Sequence, residues 1–542
     1  MKTVKKIGIA LLSFIIILTV VIFLYLLNDK SDKYEFEAYD KSQIPQFTEA
    51  KIPFKHSFDA ENSLPMAGSA MIDIDGDGID ELFIGGGSWQ SDALLKYKNG
   101  KFEDISKEVG LEKTLNRSTF GVAIVDMTND SLPDMLVARE GSVFLYENLK
   151  GRFAPPKDLN LTFNEKSEPV AITVADLNND GNVDLFVSTY LKKNLMEGQT
   201  IFNKVGYGST SKLFLNNGDN SFKDITSEVG LDYTHNTFTA VFVDFNNDNF
   251  ADLVVAHDTG EPRIYKNLSK KIGDPIKFEK VKLPFSGLFS YPMGIAVGDY
   301  DNNGFQDVFF SNVGKSLPAF MLRGDLEKNQ TLVTDWILLA NQGDFRFESK
   351  AEAAKVANYE FSWGAIFEDF NLDGLQDLVV SENYVDLPNS KVMPLPSRFL
   401  MQLPNHTFVN IESKNNTQNP YNGISPLISD FNNDGYPDLI HINLGQEPKA
   451  FISKVTNQNY YLKIKLPETP AFLNATITIE KADGTKISLQ KVSGEGLVSD
   501  QSHTMFIGLG NNKNIKSSTL KLTNGTTKNL GLLPVNTTVN IR

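Results

Sequence analysis

Seven times along the chain an acidic ten-residue loop recurs, and no other feature limits the possible folds as much. Written from its first aspartate it reads DIDGDGIDEL at 73, DMTNDSLPDM at 126 and DLNNDGNVDL at 176. It returns as DFNNDNFADL at 244, DYDNNGFQDV at 299, DFNLDGLQDL at 369 and DFNNDGYPDL at 430. The copies start 50 to 70 residues apart, a period that marks an array of supersecondary units. Before each copy lies a short, mostly apolar run such as GVAIV, AITVA or TAVFV, and after it another such as LFVS, LVVA or LVVS. Short runs rich in β-branched and aromatic residues, bounded by turn residues, read as strands. Most units continue with a second pair, as in KLFLNNGDNSFKDIT at 212–226, which reads as strand, Asn/Gly turn, strand. Four strands in each of seven units predict an all-β chain built on a seven-bladed β-propeller. The seventh unit ends at AFISKV (450–455) without a fourth strand, while the orphan QFTEAKIPF (46–54) stands before the first loop. That orphan is expected to complete the last blade, leaving no long open sheet edge.

So many carboxylates in ten residues repel one another unless a cation lies between them. Calcium takes six to eight oxygens at about 2.3–2.6 Å, several of them from carboxylates. Positions 1, 3, 5 and 9 of the loop supply side-chain oxygens, and position 7 can offer its carbonyl. The candidate ligands are Asp73, Asp75, Asp77 and Glu81 in the first copy and Asp126, Asp130 and Asp134 in the second. The third and fourth offer Asp176, Asn178, Asp180 and Asp184, then Asp244, Asn246, Asp248 and Asp252. The fifth has Asp299, Asp301, Asn303 and Asp307; the sixth, Asp369, Asn371, Asp373 and Asp377; the seventh, Asp430, Asn432, Asp434 and Asp438. Position 6 is glycine in five copies and Asn249 in the fourth, residues that tolerate a left-handed backbone. The second copy is degraded, with Thr128 at position 3 and Ser131 at position 6. An EF-hand opens the same way but needs a bidentate Glu at position 12. Position 12 here is Ile84, Val137, Val187, Val255, Phe310, Val380 and His441, all in expected strands. Asp/Asn/Gly clusters also make plain turns, but seven copies with acids at positions 1 and 9 favour an ion.

The sequence therefore predicts six to seven structural calcium ions. The net charge is −15, which such ions would bring close to neutral and which argues against nucleic acid as a partner. Cysteine is absent, so neither disulfides nor thiolate sites are available, and metal would take their place as the staple.

Residues 7–27 read IGIALLSFIIILTVVIFLYLL, 21 residues without a charge. As a helix that run spans roughly 31 Å, a bilayer core. Lys2, Lys5 and Lys6 precede it, so the N-terminus is expected in the cytoplasm. No small-x-small cleavage site follows, which favours an uncleaved signal anchor over a signal peptide. The expected organisation is a cytoplasmic N-terminus (1–6), a transmembrane helix (7–27), a polar stalk (28–45), a propeller (46–456) and a small C-terminal β domain (457–542), with the bulk periplasmic or at the cell surface.

These repeats resemble the FG-GAP/VCBS blades of integrin α-subunits. Their pattern of LYxN, FxDxT and GL is more similar still to the cartilage acidic protein family, which carries a C-terminal ASPIC/UnbV module. SGEGLVSDQSHTMFIGLG at 493–510 resembles that module's core, YYLKI at 460–464 its entry and 520–530 its closing hairpin, although Leu522-Thr523 stands where a Trp-Pro pair is usual. The resemblance spans residues 46–542 and implies an extracellular binding or matrix protein without established catalysis. It specifies fold far better than function.

Partner contacts, with a protein or a glycan, are expected on two long connections, 190–211 and 381–397, on the face opposite the acidic loops. The leading functional reading is a membrane-tethered scaffold for recognition or adhesion, not an enzyme. One alternative is a calcium-dependent polysaccharide lyase, which needs a base beside a charge-neutralising partner. The six histidines (His56, His235, His257, His406, His441 and His503) look scattered in the sequence, with His257 and His441 the best placed. The other alternative is a periplasmic membrane-assembly factor.

Overall fold

The computed structural model describes residues 13–21, 24, 34–36, 38–111, 117–196, 206–315, 322–324, 326–383 and 395–541. Seven four-stranded antiparallel units follow one another along the chain. Their innermost strands are Ser69–Ile72, Thr119–Val125, Ser167–Ala175, Thr237–Val243, Ile295–Gly298, Ser362–Glu368 and Gly423–Ser429. Each is buried along its whole length, which is why these segments are apolar without alternation. Outermost strands such as Phe222–Asp224 are short and largely exposed. The innermost strands touch their neighbours in chain order, and the first also touches the seventh. In the last sheet, Gln46–Ala50 pairs antiparallel with Lys449–Lys454, from Gln46 opposite Lys454 to Ala50 opposite Ala450. The orphan before the first loop thus supplies the missing strand.

Adjacent sheets approach closely at glycines. A Cβ on Gly121 would lie 2.3 Å from the Val170 carbonyl oxygen, and one on Gly364 would lie 2.7 Å from that of Ile424. Gly121→Ala is expected to lower stability by about 1–3 kcal/mol through overpacking, read as a lower urea midpoint at constant slope.

The C-terminal module has two sheets. One sets Tyr460–Lys465 between Thr504–Gly510 and Thr537–Asn540; the other orders Lys486–Gln490, Thr476–Lys481, Ile515–Lys521 and Thr527–Asn529. Leu462, Ile464, Ile477, Ile479, Ile507, Leu509 and Leu520 form its core.

Most of the expected anchor at 7–27 lies outside the described residues. Residues 13–21 are helical with exposed apolar side chains, and no described helix is long and apolar enough to cross a membrane. Part of the expected stalk is docked. The Tyr34 hydroxyl accepts from the Ala357 and Asn358 amides at 3.1 Å, and Phe36 and Tyr39 pack against the core around Phe47 and Phe399.

Candidate metal loops

Position 9 of every loop is the first residue of a second strand: Glu81, Asp134, Asp184, Asp252, Asp307, Asp377 and Asp438. The loop wraps around its position-1 carboxylate. In the third copy the Asp180 amide donates to Asp176 Oδ1 and the Gly181 amide to Oδ2, both at 2.9 Å. The same pair of bonds is made to Asp126, Asp244, Asp299, Asp369 and Asp430. The wrap needs a left-handed backbone at position 4 as well as position 6. Asn129, Asn179, Asn247, Asn302 and Asn433 supply it with φ between 54 and 59°, and Asn is well suited to that region. Some of these asparagines also latch loop to loop: Asn179 Nδ2 donates to Asn249 O at 3.1 Å and Asn302 Nδ2 to Gly374 O at 3.1 Å.

The position-9 aspartates tie each loop to the third strand of its sheet. Asp252 is fully buried; its Oδ2 accepts from the Phe245 amide at 3.1 Å and its Oδ1 from the Asn267 amide of the third strand at 2.8 Å. Asp134, Asp184, Asp307, Asp377 and Asp438 repeat this arrangement. The third-strand amide side chain then reaches the preceding unit: Asn267 Nδ2 donates to Leu177 O at 3.1 Å and Asn341 Nδ2 to Phe245 O at 2.9 Å. A carboxylate oxygen has a second lone pair, so the position-9 oxygens remain competent as ligands.

Burial disfavours the charged form of these acids. It raises Asp176 and Asp244 to about 6 and Asp299 to about 7, against partial relief from the loop amides. Asp184, Asp252, Asp307, Asp377 and Asp438 are pushed well above the usual range for the same reason. Carboxylates strained in this way favour a cation. In the fifth loop, oxygens of Asp299, Asp301 and Asp307 all lie within 4.8 Å of one another, the separation expected of ligands about 2.4 Å from a common centre. The donor set and spacing therefore fit calcium. The first loop gathers Asp73, Asp75 and Glu81 just as closely, but around Lys96 Nζ, which stands 2.7 Å from Asp75, 2.8 Å from Asp77 and 2.7 Å from Glu81.

The C-terminal module lies across this loop face. The Asp126 amide donates to Glu468 O at 3.1 Å and the Asp244 amide to Gln490 Oε1 at 2.9 Å. Lys463 Nζ bonds Asp430 Oδ2 at 2.8 Å, Asn459 Nδ2 bonds Asn371 O at 2.9 Å, and Lys465 Nζ donates to Gly78 O. A cavity of about 430 Å³ separates the fifth loop from Thr478, Lys486, Ser488 and Lys521 of the module.

Between the two module sheets in the chain, residues 493–503 pack against the innermost strands of several units. Ser499–Asp500 pairs parallel with Ser69 and Ala70. Thr173 Oγ1 donates to Ser493 O, the Ile124 amide to Asp500 Oδ2, the Ile428 amide to Gln501 Oε1 and the Val297 amide to Glu495 Oε1. Gly496 and Ile295 exchange backbone bonds at 2.9 and 3.0 Å. This segment carries the SGEGLVSDQSH stretch, whose role the sequence left open. Beside it, burial opposes the charge on His503, but Glu468 holds the imidazole up to about 9. Its contribution to stability is therefore complete below its unfolded value of about 6.5 and lost as pH rises through about 9. Stability is expected to fall between pH 7 and 10 in the parent chain and to stay flatter in His503→Gln, as read by urea midpoints.

The two long connections fall largely outside the described residues, at 197–205 and 384–394. The histidines are less scattered than the sequence suggests, which corrects the first reading. His235 and His257 stack with ring centroids 4.8 Å apart, Tyr233 OH lies 3.2 Å from His257 Nε2, and the Arg263 guanidinium sits 4.2 Å over the Tyr233 ring. Thr237 pairs with His257 across the first two strands of the fourth sheet, and that register brings residues 22 apart together. His257 and His441 are each 1% exposed; burial lowers the first well below the imidazole range and the second to about 3. Neither faces solvent as a general base would.

The FG-GAP-like repeat model matches residues 73–137, 126–187, 205–255 and 244–310, and the ASPIC and UnbV model matches 467–542. The chain carries FG-GAP-like repeats and ends in an ASPIC and UnbV module. It is 26% identical over 336 residues to cartilage acidic protein 1 of Xenopus tropicalis, covering 58% of this chain and 48% of that protein. To the Homo sapiens protein of the same name it is 23% identical over 333 residues, covering 58% and 47%. A T-cell immunomodulatory protein homolog of Plasmodium yoelii yoelii is 25% identical over 334 residues, covering 50% and 44%. The chain thus spans just under half the length of these curated relatives.

Proposed function

We propose that the FG-GAP repeats close into a calcium-bound, seven-bladed propeller. In this reading it is tethered to a membrane through residues 7–27 and serves as a non-catalytic extracytoplasmic recognition scaffold. The observation that carries the calcium reading is the convergence of the buried, charge-strained Asp299 and Asp307 with Asp301 in the fifth loop, on a wrap repeated around the molecule. The loops beginning at 176, 244, 299, 369 and 430 hold the full donor set. Calcium there would neutralise the carboxylates and tie the first strand to the second in each blade.

Because the module packs on the loop face, this reading puts ligand recognition on the opposite face, on the side where the described ends of the 190–211 and 381–397 connections leave their strands. Similarity to cartilage acidic protein supports an extracellular setting. One observation speaks for the lyase alternative: the Tyr233, His235, His257 and Arg263 cluster lies beside the first of those connections, where the His235 amide donates to Ser209 O at 2.9 Å. Full-length protein incubated with calcium and a panel of acidic polysaccharides separates the two readings. A scaffold retains its ligand and produces no ultraviolet-absorbing unsaturated ends. Their release, abolished by His235→Ala, would establish an enzyme.

A further inference from the structure

The first loop departs from the others in a way that bears on how many ions the molecule takes. Glu81 stands at position 9 where every other loop has Asp. Its Oε2 accepts from the Ile74 amide at 3.1 Å, as its counterparts do, but its Oε1 accepts from Lys96 Nζ at 2.7 Å instead of from a third-strand amide. The same ammonium holds Asp75 at 2.7 Å and Asp77 at 2.8 Å, which are positions 3 and 5. It therefore touches three of the four side chains that would ligate an ion. Lys465 of the C-terminal module engages the remainder, donating to Gly78 O with its Nζ 3.7 Å from Asp73 Oδ2.

Strand register shows how particular this is. Leu82 pairs with Leu95, and the same pairing in the other units is Met135 with Tyr146, Leu185 with Phe214, Leu253 with Tyr265, Val308 with Leu339, Leu378 with Leu400 and Leu439 with Phe451. Lys96 thus corresponds to Glu147, Leu215, Lys266, Ala340, Met401 and Ile452. Lys266, the other lysine in that series, lies 5.2 Å over the Phe345 ring. Lys463 Nζ bonds the position-1 Asp430 of the seventh loop at 2.8 Å, but among the described residues no other loop has an ammonium bonded to positions 3, 5 and 9 together.

We propose that Lys96, backed by Lys465, is a built-in cation that replaces calcium in the first loop, so that this blade is welded without metal. An ammonium with three donors matches three carboxylate oxygens. A divalent ion at about 2.3–2.6 Å from those same oxygens would overlap a nitrogen already 2.7–2.8 Å from each. This inference rests on the calcium reading of the other loops. It accounts for one acidic cluster whose carboxylates gather as closely as metal ligands do but are already bridged by an ammonium.

The test is the number of calcium ions bound per full-length chain in detergent, counted by native mass spectrometry in parent, Asp299→Asn, Asp75→Asn and Lys96→Met proteins. Asp299→Asn is expected to lose one ion, which reports on the calcium reading alone. Asp75→Asn is expected to lose none, and Lys96→Met to gain one, which report on this proposal. If Lys96→Met does not fold, the Asp75→Asn count still decides. Loss of one ion in Asp75→Asn, or an unchanged count in folded Lys96→Met, would overturn the lysine assignment. No loss in Asp299→Asn would overturn the calcium reading beneath it.

Discussion

Stripped of divalent cations, this chain is expected to become less stable as pH rises from about 4 to about 7, whereas the calcium-loaded chain does not. Burial holds Asp176 and Asp244 at about 6 and Asp299 at about 7 in the metal-free fold, against 3.8 for an unperturbed carboxyl. With folded values raised, the folded chain binds protons more tightly than the unfolded one. The protonated loops therefore contribute fully below about pH 3.8, and that contribution is lost as pH climbs through 6 to 7. Calcium needs the ionised form, so its binding strengthens over the same window. A ligand at a hundredfold excess over its dissociation constant stabilises by about 2.7 kcal/mol per site. Five sites would then stabilise the chain by on the order of 10 kcal/mol, or a shift of roughly 10 °C for a domain of this size. Chelation should lower the thermal midpoint strongly at pH 7.5 and little at pH 5. Calorimetry at the two pH values, with calcium and with chelator, measures the difference.

The second large effect is expected from residues 493–503 and does not depend on metal. Asp500 is completely buried. It accepts from the Ile124 amide at 2.7 Å, the Ser493 hydroxyl at 3.1 Å and the Gly494 amide at 3.1 Å. Asp500→Ala strands two buried amides and a hydroxyl, each costing about 1–3 kcal/mol, for a total of roughly 3–9 kcal/mol. The loss should appear in urea unfolding both with and without calcium, together with faster proteolysis at the 456–460 junction. Gly496 is equally constrained. Its φ is +90° and a Cβ would lie 2.5 Å from Ser425 Oγ, so Gly496→Ala should unseat the segment in the same way. If either variant matched the parent in stability, the segment would be a passive filler.

The repeat made most of this fold legible. A loop recurring between two apolar runs locates the first two strands of each unit, and the deficit after Val455 locates the partner of Gln46–Ala50. Position 6 was readable from its glycines. Position 4 was equally readable from its run of asparagines, since their common cause is a left-handed backbone. The double duty of the position-9 aspartates was not readable, because their amide partners lie 14 to 34 residues further on, in a third strand. Nor was Lys96, which reads as an ordinary lysine in a strand pattern until register places it over three carboxylates. The insertion of 493–503 joins residues more than 370 positions apart, as in Asp500 with Ile124. No local spacing reports such a contact.

The most direct test of the central claim is the count of tightly bound calcium ions on the full-length chain at pH 7.5. Ions are predicted in the loops beginning at 176, 244, 299, 369 and 430, giving five per chain, with a sixth where the second loop fills, and removal by chelator lowering the thermal midpoint. A chain that binds none, and melts at the same temperature with and without chelator, would contradict the account.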